Sequence, residues 1–433
     1  MRRRAQRIDV ALSMCAAALL VVMMAACAGS SSSEHAVRVT VLPQRSLADQ
    51  PVQIQVAGLA AGEQATLRMN SIDASGVRWL ASAAYRADAA GNVDPSRAPA
   101  ISGSYRGTSG MGLIWSMHPT GRDPAGAYFW DNQVPQTFTI TVSVNGNRIA
   151  AASFYRMFSH TALADQTESL QADGFVGQLW HPVDAPGRRP AIVVLGGSEG
   201  GLPGILLPAM LASAGYPALG VAYFGEPGLP RTLSGIPLEY FAKALNWLAR
   251  QPGVDPTRIV VLGTSRGSEA AQLLGVYYPG LVHAVIASVP SNVALCSYPG
   301  CNGPAWTLNG QALPYTLEFD ATAPVDDPAA IIPDQRIQGP VFLDCGEADQ
   351  IWTSCPFARA ILRLLDAHHD PWTHVLYAYP GAGHGVGKLY PYEPEVPAIA
   401  GSDSSYSADQ KADTLLWPHL LQFLAGLSAG PAR

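Results

Sequence analysis

Lysine is scarce in this chain, and charge of either sign is limited. Only three of the 433 residues are lysine, charged residues make up 14%, and the net charge is −6. No basic stripe follows the first few positions, so the sequence lacks the electrostatic footprint of a nucleic-acid-binding protein. Apolar residues supply 48%, which excludes a disordered chain and, at this length, favours about two packed domains.

The N-terminal segment lacks an apolar run of the ~20 residues that a membrane-spanning helix needs. Arginines at positions 2–4 precede an apolar stretch, residues 10–26, that ends at Cys27 before a run of serines. This pattern predicts a bacterial export signal. Residues 24–27 resemble a lipobox, so we expect residues 1–35 to be a lipoprotein signal and tether, with Cys27 lipidated and the protein anchored to the cell envelope. Ordinary secretion to the periplasm or beyond, or an uncleaved anchor, are the alternatives.

Cysteine is also scarce, with six in the chain, and Cys15 and Cys27 fall within the predicted signal. An even number of remaining cysteines in an oxidising compartment predicts disulfides. Proximity in sequence favours Cys296–Cys301 and Cys345–Cys355, although four cysteines allow three pairings. The chain has no CxxC pair, so we expect no metal site, and we expect no cofactor.

Hydrophobic patterning divides the rest of the chain into two domains. Residues 36–157 contain short alternating runs separated by glycine-containing turns, which predicts an all-β, immunoglobulin-like sandwich. A polar connector is expected over residues 158–172. Residues 174–430 alternate continuous apolar runs with helical periodicity, which predicts a parallel sheet with helices on both faces.

A G-x-S-x-G pattern at residues 263–267 places Ser265 between a buried strand, expected to end at Leu262, and a helix that begins at Ser268. A strand-to-helix elbow needs small residues at both glycine positions, exposes the serine hydroxyl and points the helix N-terminus at it. We therefore expect Ser265 to be the nucleophile of an α/β-hydrolase domain. A plain tight turn with a buried serine is the alternative.

A serine nucleophile needs a general base, and the base needs a carboxylate to orient it. His384 lies in a glycine-rich loop just after the last predicted strand, a context that no other histidine shares. Asp349 lies in the loop beyond the strand predicted at residues 341–343, with Asp344 and Glu347 as competitors for the same role. The chain order Ser, Asp, His is that of the α/β-hydrolases.

An oxyanion hole is also required, and two backbone amides can supply it. One expected donor is the amide of Arg266, directly after the nucleophile. The second is expected from the glycine-rich loop at residues 196–201, through the amide of Ser198 or Glu199. A phosphate-binding loop is the alternative for these glycines, but no G-K-[S/T] follows them.

The chain resembles the acyl-CoA thioesterase and bile acid-CoA:amino acid N-acyltransferase family over nearly everything after the signal. The matching stretches are residues 86–91, 96–100, 103–105, 111–115, 196–201, 238–241, the elbow at Ser265, 346–352 and 379–384. The resemblance implies a β-sandwich followed by an α/β-hydrolase, action on acyl thioesters in fatty acid metabolism, and an Asp–His pair serving a Cys or Ser nucleophile.

The family's N-acyltransferases use Cys, so Ser265 favours hydrolysis over transfer. We therefore expect a hydrolase that cleaves acyl thioesters or carboxylic esters through an acyl-serine intermediate. Transfer of the acyl group to an amine or alcohol is the first alternative. A surface binding protein with an inactive hydrolase fold is the second.

Overall fold

The structure is a computed structural model that describes residues 36–120, 128–131, 134–159, 162–183, 186–204, 206–317, 327–394 and 406–429. The predicted signal, the lipobox and Cys27 lie outside the described residues. Within the described ranges, no helix combines the length and the apolar character that crossing a bilayer requires.

The first part of the described chain is almost entirely β-structure. Its elements are β1 (Arg38–Leu42), β2 (Arg45–Leu47), β3 (Gln53–Ala57), β4 (Gln64–Ile72), β5 (Arg78–Arg86), β6 (Ser102–Gly103), α1 (Gly112–Trp115), β7 (His118–Pro119), β8 (Gln136–Val144) and β9 (Asn147–Met157). Strands β2-β9-β8-β4-β5-β6 form one sheet in that order, with β7 also paired to β5, and β1 and β3 form a second sheet.

Period-two hydrophobicity accounts for these strands. In β4 every second side chain is buried, as expected for a strand with one face on a core. The β8–β9 hairpin turns at Asn145 and Gly146, which both have positive φ (52° and 81°), and Asn-Gly is the sequence that tolerates this best. The all-β character predicted for this region is confirmed.

The second part of the chain alternates strands and helices. Its elements are β10 (Leu163–Glu168), α2 (Leu170–Asp173), β11 (Val176–Pro182), β12 (Arg189–Leu195), α3 (Leu206–Ser213), β13 (Ala218–Ala222), β14 (Ile236–Pro237), α4 (Leu238–Leu248), β15 (Val254–Thr264), α5 (Arg266–Tyr277), β16 (Ala284–Ser288), β17 (Trp306–Leu308), β18 (Gln311–Ala312), β19 (Val341–Gly346), α6 (Ser354–Ala367), β20 (Val375–Tyr379) and α7 (Tyr406–Ala429). Short 3-10 turns span Asp334–Arg336 and His384–Lys388.

Eight of these strands form one sheet in the order β10-β11-β13-β12-β15-β16-β19-β20. The first two strands are antiparallel to their neighbours and the other six are parallel to one another. The central strands β12, β13, β15 and β16 are buried on both faces where they carry continuous apolar runs. This order and the helical crossovers confirm the predicted α/β-hydrolase fold.

The sheet begins earlier in the chain than expected. Strand β10 lies inside the segment expected to be a polar connector, and it pairs with β11 along its whole length. Its sequence is mostly polar because it is an edge strand with exposed side chains, so it gives no buried apolar run. The eight-stranded sheet therefore begins before residue 174, where the sequence analysis expected the second domain to start. The domain boundaries themselves stay a prediction.

Helix α7 lies where the two parts of the chain meet. Trp417 donates its indole N–H to Asp49 Oδ2 (2.9 Å), and Tyr406 donates its hydroxyl to the carbonyl of Trp115 (2.9 Å). Apolar side chains of α7 share one continuous core with both the β-rich part and one face of the eight-stranded sheet. The closing helix thus connects the two parts directly.

Candidate active site

The predicted elbow is present, with Ser265 between β15 and α5. Ser265 has φ 55° and ψ −121°, a region that a non-glycine residue adopts only when its surroundings impose it. Its amide donates to the carbonyl of Ser288 on the adjacent β16 (3.0 Å). The strained backbone is therefore held by the sheet itself, as a nucleophile elbow requires.

The glycines around Ser265 are required by close backbone contacts. A Cβ on Gly263 would collide with the carbonyl oxygen of Gly267, and a Cβ on Gly267 would collide with that of Gly196. A Cβ on Gly197 would lie 3.1 Å from the Cβ of Ser265. The glycine loop after β12 therefore packs directly against the elbow and the nucleophile.

The structure brings His384 and Asp349 together. His384 Nδ1 lies 2.8 Å from Asp349 Oδ2, with the aspartate side chain fully buried and the histidine side chain 15% exposed. Asp349 also accepts from the hydroxyl of Ser354 (2.7 Å) and the amide of Ile351 (3.0 Å). A buried carboxylate with these donors is fixed in place, so it can fix the imidazole tautomer and leave Nε2 for the serine proton.

Two further contacts hold the segments of the site together. Thr264, directly before Ser265, donates its hydroxyl to the carbonyl of Gly387 in the turn that begins at His384 (3.1 Å). The amide of Ala348, directly before Asp349, donates to the carbonyl of Ala382 (2.8 Å). The nucleophile segment is therefore hydrogen-bonded to the base segment through a side-chain hydroxyl, and the acid segment is hydrogen-bonded to the base segment through the backbone.

Trp352 covers the histidine from one side. Its ring stands edge-on to the imidazole of His384, with the two centroids 5.7 Å apart. Its indole N–H donates to the carbonyl of Val289 (2.9 Å) at the end of β16. This buried ring shields the Asp349–His384 pair from solvent.

The two competing carboxylates lie elsewhere. Asp344 is buried within β19, where it accepts from the hydroxyl of Ser288 (2.7 Å), and burial raises its pKa to about 8. Glu347 forms a half-exposed ion pair with Arg359 (2.5 Å). Only Asp349, of the three carboxylates weighed from the sequence, is hydrogen-bonded to His384.

The predicted oxyanion donors lie on the segments that adjoin Ser265. Arg266 opens α5, so its amide belongs to a helix N-terminus and has no acceptor within the helix. In the glycine loop, the amide of Gly197 donates to Glu199 Oε1 (2.8 Å), and the hydroxyl of Tyr223 donates to the carbonyl of Gly196 (2.6 Å). The loop is thereby held in shape, and the amides of Ser198 and Glu199 stay the predicted second donors.

The side chain of Arg266 connects the elbow to a neighbouring disulfide loop. Its Nε pairs with Glu269 Oε1 (2.8 Å), and Nη2 donates to the carbonyl of Cys296 (2.8 Å). Glu269 also accepts from the amide of Leu295 (3.1 Å) and from the indole of Trp306 (2.9 Å). Burial raises the pKa of Glu269, and the nearby guanidinium opposes that rise.

The four predicted disulfide cysteines are joined as Cys296–Cys301 and Cys345–Cys355. The second disulfide closes the loop that carries Asp349, since Cys345 is the penultimate residue of β19 and Cys355 is the second residue of α6. Among the described residues, no cluster of three or more His, Cys, Asp or Glu side chains is arranged to hold a metal ion.

Sequence reasoning did not identify Ser354, Tyr223 or Glu269 as parts of this site. Ser354 could have been suspected, since it follows Asp349 by five residues within a loop that a predicted disulfide closes. Tyr223 bonds to residues 196–197, and Glu269 bonds to Leu295 and Trp306. These contacts join segments distant in sequence, so no local sequence pattern indicates them.

Comparison with known proteins places the site in a family. Residues 49–167 match the family region described as acyl-CoA thioester hydrolase/BAAT N-terminal region. Residues 236–426 match the one described as BAAT/acyl-CoA thioester hydrolase C terminal. Among solved structures, Est1E from Butyrivibrio proteoclasticus matches with a TM-score of 0.38 and 13% identity, covering 61% of this chain and 99% of that one.

Two named proteins are similar to this one over most of its length. Acyl-coenzyme A thioesterase 6 of Mus musculus is 32% identical over 380 residues, which cover 82% of this chain and 86% of that protein. Acyl-coenzyme A thioesterase 1 of Homo sapiens is 28% identical over 398 residues, covering 87% and 93%. This chain therefore belongs to the acyl-CoA thioester hydrolase/BAAT family.

Proposed function

We propose that this protein is a serine acyl hydrolase that cleaves acyl thioesters or carboxylic esters through an acyl-serine at Ser265. The observation that carries the proposal is the elbow at Ser265, bonded through Thr264 to the turn whose histidine is held by Asp349. Membership in a family whose similar proteins are named acyl-coenzyme A thioesterases supports the same reaction class.

In the first half-reaction the hydroxyl oxygen of Ser265 attacks the acyl carbon, and its proton passes to Nε2 of His384. Asp349 stabilises the resulting imidazolium through the Nδ1 hydrogen bond. The amide of Arg266 and that of Ser198 or Glu199 donate to the tetrahedral oxyanion. The imidazolium then gives its proton to the departing sulfur or oxygen, which leaves the acyl group on the serine as an ester.

In the second half-reaction water attacks this ester, and His384 accepts the proton of the water. The same amides stabilise the second tetrahedral intermediate. Its collapse returns the proton to Ser265 and releases the carboxylic acid. The buried Asp349 and the shielding ring of Trp352 keep the histidine in one orientation through both halves.

The compartment in which the enzyme works determines which acyl substrates, and so which leaving groups, it encounters. Similar proteins are named for acyl-coenzyme A, which makes fatty acyl-CoA one substrate class to test. An exported enzyme would instead encounter other acyl thioesters and carboxylic esters. A panel of p-nitrophenyl esters and acyl-CoAs of graded chain length, each with and without an amine acceptor, separates these classes and separates hydrolysis from acyl transfer.

The variant Ser265→Ala tests the proposal. We expect kcat to fall by a factor of about 10⁴–10⁶, since the attacking oxygen is lost and only the oxyanion donors and substrate binding remain to assist water. Ser213→Ala is a matched control, because the Ser213 hydroxyl donates to the carbonyl of Phe158, away from the elbow, and this variant should keep its activity. Equal turnover by Ser265→Ala and Ser213→Ala would overturn the proposal.

We propose further that residues 1–35 direct export and that Cys27 carries lipid. Support comes from the lipobox-like sequence and from two disulfides in the structure, which form in oxidising compartments. In a bacterial host fed labelled palmitate, the intact chain should be labelled and recovered with membranes, whereas Cys27→Ser should lose the label. Equal labelling of the two proteins would contradict the proposal.

A further inference from the structure

His384 stands between two glycines, and one carboxylate of α7 lies against both of them. The amide of Gly383 donates to Asp409 Oδ1. A Cβ on Gly385 would lie 2.6 Å from Asp409 Oδ2, so this glycine packs closely on the other oxygen. The two oxygens of one side chain therefore bracket the backbone of the base.

Asp409 is itself held firmly. It is buried, and it lies in the first turn of α7. Three residues earlier, Tyr406 donates its hydroxyl to the carbonyl of Trp115 in the β-rich part of the chain (2.9 Å). The start of α7 is thus hydrogen-bonded to the β-rich part of the chain, and this contact holds the Asp409 carboxylate in place.

Charge near the far end of the histidine turn supports the same arrangement. Lys388 ends this turn and is half-buried, and its buried ammonium lies over the ring of Tyr406 (5.7 Å to the centroid). Burial lowers the pKa of Lys388, while the carboxylates of Asp413, Glu393 and Asp409 raise it. Asp409 therefore bonds directly to the start of the turn, and it is the smallest of the three carboxylate influences on the lysine at its end.

This contact matters because Asp349 restrains only the ring of His384. The position of Nε2 relative to Ser265 also depends on where the backbone places the histidine Cα. A displacement of about 1 Å between reacting groups can lower turnover by roughly 10²-fold. A second carboxylate that fixes the backbone complements the first, which fixes the tautomer.

We propose that Asp409 is a positioning residue that holds the backbone of His384 in reach of Ser265, an inference that rests on the proposed serine-hydrolase function. It does not touch substrate. It acts through the Gly383 amide and through close packing against Gly385.

The test compares variants of Asp409 in the full chain. Asp409→Ala and Asp409→Leu both remove the acceptor of the Gly383 amide, and the leucine avoids the cavity that alanine would leave. We expect kcat for a p-nitrophenyl ester to fall about 10–100-fold in both, with KM within about twofold. Asp409→Asn keeps an oxygen for the Gly383 amide and should regain at least about tenfold over alanine.

The matched control is Gln410→Ala, a buried neighbour on the same helix. Within the described part of the chain, no hydrogen bond joins Gln410 to the histidine turn. This variant should lose comparable thermal stability and keep its kcat. Asp409→Ala or Asp409→Leu with kcat as high as that of Gln410→Ala, or no recovery with asparagine, would overturn the inference.

Labelling by a fluorophosphonate distinguishes this failure from failure of the proposed function. If the wild-type protein neither hydrolyses the ester nor labels at Ser265, the proposed function fails. If the wild-type protein labels and Asp409→Leu labels at the same rate, only the role of Asp409 fails. The expected result is a labelling rate that falls in parallel with kcat.

Discussion

Asp349→Asn is the substitution that most sharply separates the three carboxylates near the site. Asparagine has the same shape and can keep Oδ1 as acceptor for the amides of Ile351 and Trp352. Its amide nitrogen then replaces Oδ2, which accepts from both Ser354 and His384. Since an amide nitrogen can only donate, the imidazole must present Nδ1 as acceptor, and Nε2 then carries the proton and cannot take one from Ser265.

The expected loss follows from this tautomer argument. Wrong-tautomer variants of serine-hydrolase triads lose about 10⁴ in kcat. That factor corresponds to about 5 kcal/mol of activation free energy, at 1.36 kcal/mol per tenfold change. The thermal unfolding midpoint should change far less than activity, because the side-chain volume and two of the accepted hydrogen bonds are kept.

The assay is steady-state hydrolysis of a p-nitrophenyl ester, with two carboxylate variants as controls. Glu347→Gln removes only a half-exposed ion pair with Arg359, and such pairs contribute about 0–1 kcal/mol, so activity should hold. Asp344→Asn should also stay active, since Asp344 is bonded to Ser288 rather than to the histidine. Asp349→Asn with more than a tenth of wild-type kcat, or a collapse of activity in Glu347→Gln, would refute the assignment.

Three further predictions test the surroundings of the site. Replacing Cys345 and Cys355 by serine removes a disulfide between residues 10 apart in sequence and should lower the free energy of unfolding by about 3 kcal/mol. We also expect kcat to fall because this loop carries Asp349, and an unchanged kcat in the folded variant would contradict this. Gly197→Ala puts a methyl group 3.1 Å from the Cβ of Ser265 and should lower kcat with little loss of stability; wild-type kinetics would show that the loop does not adjoin the nucleophile. Burial raises the pKa of Asp344 to about 8, so between about pH 4 and 8 the folded protein keeps a proton that the unfolded chain releases. The free energy of unfolding therefore falls as pH rises, by at most about 1.4 kcal/mol per pH unit. Urea unfolding at pH 5 and pH 8 should show a smaller fall in Asp344→Asn than in the wild-type protein, and equal falls in the two proteins would disprove the shift.

The parts of the site that could be predicted from the sequence are those with a local chemical signal. The elbow is encoded by two glycines whose missing side chains make room for backbone, and the apolar strand before them and the helix after them complete the signal. The loops of Asp349 and His384 follow apolar strands, and parallel strands bring their carboxyl ends to one edge of the sheet. The α/β fold follows from the same apolar runs.

The parts that could not be predicted depend on contacts between distant segments or on exposed strands. Strand β10 is an edge strand with polar side chains, so its sequence does not differ from that of a connector. Asp409 follows His384 by 25 residues, and nothing in its own neighbourhood marks a contact with Gly383. Glu269 lies in a helix, and its bonds to Leu295 and Trp306 come from a segment whose path the hydrophobic pattern does not define.

Trapping the acyl-enzyme tests the central claim most directly. The protein is mixed with a slowly deacylating p-nitrophenyl ester, quenched in acid, digested and analysed by mass spectrometry, with Ser265→Ala treated in parallel. We expect one added acyl group on the peptide that contains Ser265, and none on the alanine variant. An acyl group on another residue, or turnover by the wild-type protein with no covalent intermediate under single-turnover conditions, would contradict it.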